Sequence, residues 1–217
     1  MKKTILTLFT LFTIFLTTTI GQSDYLVLLH TGQQIWAENA QNYTHEAFIS
    51  EQEAINGNYY RFLQFYEIPN EEQLSRLKQL GIHLLEYIPN KAYVASIPVE
   101  FDVKKLSELN IRSILPIMPD MKIEAQLKNK FLPEWAIQGN QIQLMLKYYK
   151  DLNHEEILRL CEQDGIEVLL ENGFNNFLKV SIKKSKIGQV AALPYVAFLE
   201  PIPEPSVPED DPARALH

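Results

Sequence analysis

Residues able to carry out bond chemistry are few in this chain and poorly spaced for it. The five histidines, His30, His45, His83, His154 and His217, pair neither with one another nor with the single cysteine, Cys161, at the spacing of metal ligands, so no metal site is expected. No glycine-rich phosphate loop and no Gly-x-Ser-x-Gly elbow occurs in the sequence, and no cofactor is expected. Glu71-Glu72 and Glu155-Glu156 fall in the first turns of predicted helices, where carboxylates favour the positive end of the dipole, so they read as capping features before acid-base candidates. Cys161 lies on the helix face that carries Leu158, which makes it a buried structural thiol rather than a nucleophile. Asn42-Tyr43-Thr44 fits an N-glycosylation sequon. With no catalytic residues to name, the chain is expected to act by binding.

Its composition suits that role. At 217 residues, 46% hydrophobic and 22% charged, it can bury a core and fills one or two domains. The net charge of -7 argues against nucleic acid or an anionic membrane as the main partner. One cysteine forms no internal disulfide, so stability must come from packing.

Met1-Lys2-Lys3 is a short basic start, followed by an uncharged apolar and threonine-rich run from Ile5 to Ile20 that ends in small residues near Thr19-Ile20-Gly21. This reads as a secretory signal peptide over residues 1–21. The run is shorter than the roughly 20 mainly apolar residues a spanning helix needs, so after cleavage no membrane attachment is expected and the mature chain begins near Gln22, secreted.

The elements that follow are orderly from Tyr59. Residues 22–58 hold a strand candidate at Tyr25–His30 and then an irregular polar segment. Tyr59–Tyr66 predicts a strand. A helix capped by Asn70 follows, with Leu74, Leu77 and Leu80 on one face and Gly81 as its stop. Ile82–Ile88 and Ala92–Ile97 form a predicted hairpin, a second helix starts near Asp102, and Ile111–Met118 closes the set. The same order recurs. Laying Arg61–Tyr93 over Met145–Phe177 at an offset of 84 without a gap matches Glu71 with Glu155, Leu74 with Leu158, Gly81 with Gly165 and Ile82 with Ile166. The register returns at Leu106 with Val190 and at Leu115 with Leu199. The second hairpin carries Asn172-Gly173, a type I′ turn signal, and one extra residue before its third strand.

Two tandem copies of a βαββαβ unit predict an α+β protein of two ferredoxin-like modules with antiparallel sheets, at 59–121 and 141–202. Residues 122–140 are then a linker, with Trp135 filling a groove between the domains, and 203–217 form a Pro-rich extended tail. Bulky residues fall on both sides of the first strands, Leu144, Leu146, Tyr148 and Tyr149 among them, so the helix-free face of each sheet needs a cover. The other copy, the Tyr25–His30 strand, or a docked partner protein would each supply one.

The leader, the repeated modules and the tail, together with Tyr60-Arg-Phe-Leu-Gln-Phe65, Leu80-Gly-Ile82, Tyr87-Ile-Pro-Asn90, Ala92-Tyr-Val94 and Pro212-Ala-Arg-Ala-Leu-His217, resemble the N-terminal propeptide region of secreted bacterial subtilisin-like serine proteases. The resemblance implies an intramolecular chaperone and autoinhibitor whose partner is the subtilisin-like peptidase domain, in cis or, for a stand-alone chain, in trans. It also implies that Leu144, Leu146, Tyr148 and Tyr149 belong to the docking module. Pro203, Pro205, Val207, Pro208, Arg214 and Leu216 would then lie in the tail that enters the cleft or is processed. No Asp, His-Gly or Gly-Thr-Ser peptidase motif is present, so the chain is expected to be no enzyme: either the front of a longer precursor or a free-standing secreted inhibitor or interaction module.

Overall fold

The structure, a computed structural model, describes residues 25–29, 31–36, 53–129 and 131–205. The expected signal peptide, the Asn42 sequon and the tail from Ser206 onward lie outside them. All named strand pairs are antiparallel and the helices are short, which is the α+β class that the sequence predicts. The chain divides into two units, residues 1–117 and 118–217.

In the first unit, strand β1 (Leu26–Leu28) and β2 (Gln34–Trp36) pair only with each other. The main sheet is built from β3 (Asn58–Phe65), β4 (His83–Ile88), β5 (Ala92–Pro98) and β6 (Ile111–Pro116), in the order β4-β5-β3-β6. Helix α1 (Glu71–Gln79) connects β3 to β4. It begins where the sequence places it, because the Asn70 side chain accepts from the Gln73 N–H while the Gln73 side chain accepts from the Asn70 N–H, satisfying two otherwise unpaired donors. It ends at Gly81, whose φ of +77° suits a residue without a Cβ. Leu63 and Phe65 of β3, Leu77 of α1, Ala95 and Ile97 of β5, and Ile114 of β6 share the core. Leu74, expected on the buried face, is 42% exposed, and Leu77 alone anchors α1.

The element expected from Asp102 is a 3-10 helix, Val103–Leu109. Leu106 and Leu109 are buried in it, and their spacing of three fits its three residues per turn better than the 3.6 of an α-helix.

The second unit contains a short helix α2 (Ala125–Lys128), β7 (Ile137–Gln138), β8 (Gln141–Tyr148), α3 (His154–Gln163), β9 (Glu167–Asn172), β10 (Phe177–Lys183), α4 (Ile187–Ala191) and β11 (Val196–Pro201). Its sheet runs β11-β8-β10-β9, with β7 added to β8. Counting only the four main strands of each unit, both sheets have the same order: second, third, first, fourth. Asn153 caps α3 by accepting from the Glu156 N–H, as Asn70 caps α1.

Three expectations are corrected. Residues 122–140 are not a linker but part of the second unit. The Glu124 N–H donates to the Leu199 carbonyl and Ile123 bridges Leu199, so this segment covers the outer edge of β11. Trp135 donates its indole N–H to the Ile202 carbonyl of the same unit. Asn172-Gly173 does not make a type I′ turn. The chain turns through a 3-10 segment, Gly173–Asn175, with Asn172 accepting from the Asn175 N–H and Asn176 at φ 57°, because four residues rather than two separate the paired ends Asn172 and Phe177. The last strands align one residue away from the expected register: Leu199 lies opposite Leu146 and Ile114 opposite Leu63, so the counterpart of Leu199 is Ile114 and not Leu115.

Candidate functional site

Strand β8 alternates strictly, with Ile142, Leu144, Leu146 and Tyr148 buried and the residues between them half-buried or exposed. Successive side chains of a strand point to opposite faces. The Tyr148 hydroxyl lies 2.8 Å from His154 Nδ1 on α3, so the buried set faces the helices. Leu144, Leu146, Tyr148 and Tyr149, expected to dock a partner, are 0%, 0%, 1% and 5% exposed. They form the unit's own core and present nothing to a partner.

Among the described residues of this unit, the helix-free face carries their neighbours and is open. Lys147 has Phe177 of β10 on one side and Phe198 of β11 on the other; in the next row Met145 lies between Lys179 and Glu200, with Leu170 of β9 beyond Lys179. Leu170 is 53% exposed, and Met145, Phe177, Lys179 and Phe198 are half-buried. This is an amphipathic surface of two phenylalanines, a methionine and a leucine interleaved with two lysines. Beyond β11 the chain continues through Ile202 to Pro203 and Pro205 without further secondary structure, and both prolines flank an exposed stretch. Val207, Pro208, Arg214 and Leu216 lie outside the described residues.

In the first unit the corresponding face is occupied. Gln64, between the core residues Leu63 and Phe65, donates to the Tyr25 carbonyl at 2.9 Å and accepts from Ser113 Oγ and Arg112 Nη1. Asn90, in the β4-β5 turn, donates to the Leu26 carbonyl at 2.6 Å. The Tyr25 ring carries the Arg112 guanidinium at 4.2 Å and the Lys91 ammonium at 5.1 Å, and Val27 is fully buried. Of the covers that the sequence allows, the Tyr25–His30 strand is the one seen here.

Two polar clusters went unread in the sequence. Tyr148, His154 and Glu171 form a chain, with His154 Nε2 3.4 Å from the Glu171 carboxylate. Such a relay suggests proton transfer, but its phenol is closed to substrate, so it joins the start of α3 to β8 and β9 instead. A six-residue separation across a strand-to-helix turn was the only signal for it. Tyr195 donates to Asp164 at 2.8 Å beside Cys161. Burial pushes the Cys161 thiol up to about 11, far from the range of a reactive thiolate.

The sign of that shift gives a prediction. The unfolded thiol ionises near 9 while the folded one stays neutral, so the unfolded state loses protons first and stability falls as pH rises from about 9 towards 11. The urea midpoint should therefore drop over that interval, and Cys161→Ala should remove the part of the drop that starts near pH 9. An unchanged profile in the variant would contradict the burial of the thiol.

A shallow groove of about 430 Å³ runs between α3 and β9, lined by Leu158, Glu162, Ile166, Glu167, Val168 and Glu171. Among the described residues no group of three or more His, Cys, Asp or Glu side chains is placed to hold a metal ion, and no helix is long and apolar enough to cross a membrane.

Residues 28–118 match the family model described as a domain of unknown function, DUF8729. The match begins at Leu28 and ends one residue past the boundary of the first unit at Ile117. No curated protein and no solved structure matches the chain.

Proposed function

We propose that this chain is the propeptide portion of a secreted subtilisin-like serine protease precursor, acting as intramolecular chaperone and autoinhibitor of a peptidase domain. On this reading a signal peptide over residues 1–21 is removed, two ferredoxin-like modules follow, and the Pro-rich tail leads towards the peptidase. The observation that carries the reading is the second unit's open sheet face, whose last strand, β11, runs directly into an exposed segment without secondary structure at Pro203. The repeated strand order supports the tandem ferredoxin-like modules. A face of aromatic, methionine and lysine side chains suits a docked protein surface, and an extended tail suits a substrate cleft, where it adds a strand. Binding only the folded peptidase stabilises that state by mass action, and the same contact blocks the active site until it is cut.

The docking residues are therefore Met145, Phe177 and Phe198 in place of Leu144, Leu146, Tyr148 and Tyr149. Replacing Met145 and Phe198 together by Asp should weaken inhibition of a subtilisin-like peptidase by about 100-fold or more, with the circular dichroism of the chain unchanged. Inhibition that is equally strong in the double variant would remove this face from the interface.

The second reading is a stand-alone secreted inhibitor or protein-interaction module. What favours it is that the family match, residues 28–118, falls on the first unit and stops one residue into the second, away in sequence from the tail. It predicts binding that does not depend on the tail, so removing residues 206–217 separates the two readings.

A further inference from the structure

The two units offer an internal comparison. Their sheets have the same strand order, yet the second unit has no counterpart of the β1-β2 hairpin on its face among the described residues. The second unit's sheet, with β7 and the segment along β11 added, thus stands without such a hairpin, and the hairpin of the first unit is an addition to the shared four strands. The manner of its attachment agrees. Strand β1 makes no ladder with the main sheet. It is held by side chains of the sheet and its turn, Gln64 and Asn90, which donate to two successive main-chain carbonyls, those of Tyr25 and Leu26. Such bonds read main-chain carbonyls whatever the sequence, and two cations against one ring select an aromatic side chain at the residue before the strand. Gln64 is itself fully engaged, since its Nε2 also donates to the Asn90 carbonyl while Ser113 and Arg112 donate to its Oε1. The amide is held in one orientation, with one N–H on the Asn90 carbonyl and the other towards the incoming carbonyl.

We infer that the helix-free face of the first unit is a binding site for a short strand preceded by an aromatic residue, and that the chain fills this site with its own Tyr25 and the strand Leu26–Leu28. The segment is a ligand held in cis. Its removal exposes Gln64, Asn90 and the Arg112–Lys91 pair to an equivalent segment supplied in trans.

The test uses residues 22–217 and involves no protease, so its failure is distinct from failure of the propeptide reading. Val27→Asp places a charge at a fully buried position and expels the strand, and Tyr25→Ala weakens it through the loss of the ring contact. A fluorescent peptide with the sequence of residues 22–36 is titrated into each variant and into the unchanged chain, and anisotropy is recorded. Both variants should bind the peptide, Val27→Asp at least about 30-fold more tightly than the unchanged chain, whose site is filled. Adding Gln64→Ala to Val27→Asp should reduce that binding about 10-fold, the loss of a buried hydrogen-bonded reader. A folded Val27→Asp chain that does not bind the peptide overturns the inference. So does loss of the first unit's hydrogen-exchange protection in both variants, because the strand would then be part of the fold and not its occupant.

Discussion

Replacing Leu146 by alanine should cost about 2–5 kcal/mol of unfolding free energy, while Met145→Ala, one residue away on the same strand, should cost about 1 kcal/mol or less. Leu146 is fully buried, opposite Leu178 on one neighbouring strand and Leu199 on the other, and truncation leaves a cavity that fixed β-strand backbones cannot close. Met145 lies on the open face, half-buried between Lys179 and Glu200, where water or a rotamer change fills the space. Urea denaturation of the two variants gives the result directly. Equal losses would mean that β8 is buried on both faces and that the second unit has no open sheet surface. A larger loss for Met145 would put the strand one residue out of register.

Gly81→Ala carries the second large effect. Gly81 has φ +77°, a conformation that costs an L-residue about 1–2 kcal/mol, and a Cβ there would come within 2.8 Å of Pro98 Cγ. The proline ring is fixed to the backbone at the end of β5, so it cannot swing away as a long side chain would, and the crowding adds about 1–3 kcal/mol. Gly165 occupies the same place after α3, with φ +67° and no atom near an added Cβ, so Gly165→Ala should lose only the conformational part, about 1–2 kcal/mol. Thermal unfolding of the two variants should therefore rank Gly81→Ala as the more destabilised. The reverse order would contradict the close approach of α1's end to the end of β5.

These two pairs of residues also show what the sequence revealed and what it concealed. Asn70 and Asn153 mark helix starts and Gly81 and Gly165 mark helix stops, because capping and left-handed backbone are local requirements that few residue types meet. The recurring order of elements was visible for the same reason. The faces of the sheet were harder, since they depend on a register that a single residue inverts. Laid at a constant offset of 84, Phe62 falls on Leu146 and Phe65 on Tyr149. The strand pairings instead match Leu63 with Leu146, each opposite its unit's fourth strand at Ile114 and Leu199. Helix α3 has 10 residues where α1 has 9, which restores the offset at the glycines, and the longer β9-β10 turn shifts it again by one.

An ungapped comparison therefore holds in the middle of the repeat and slips at the first and last strands. The docking candidates on β8 had another origin, bulky residues on both sides of the strand, which does not by itself say which side is buried. The alternation of Gln141, Gln143 and Lys147 with Ile142, Leu144, Leu146 and Tyr148 contained the correct answer, with Met145 as its one apolar exception.

The cover of the first unit was legible only as a set of alternatives. Nothing local in Tyr25–Leu28 says which surface it meets, because Gln64, Asn90 and Arg112 are brought together by strand pairing and not by sequence proximity. The contrast between a filled face in one unit and an open one in the other is what gives the second unit, adjacent to the tail, the docking role in the proposal.

That role is tested most directly by the inhibition constant of residues 22–217 against a bacterial subtilisin-like endopeptidase, measured with a chromogenic peptide substrate. The proposal predicts competitive inhibition with a nanomolar or tighter constant, weakened by Asp at Met145 and Phe198. Inhibition that is absent or only micromolar would contradict it.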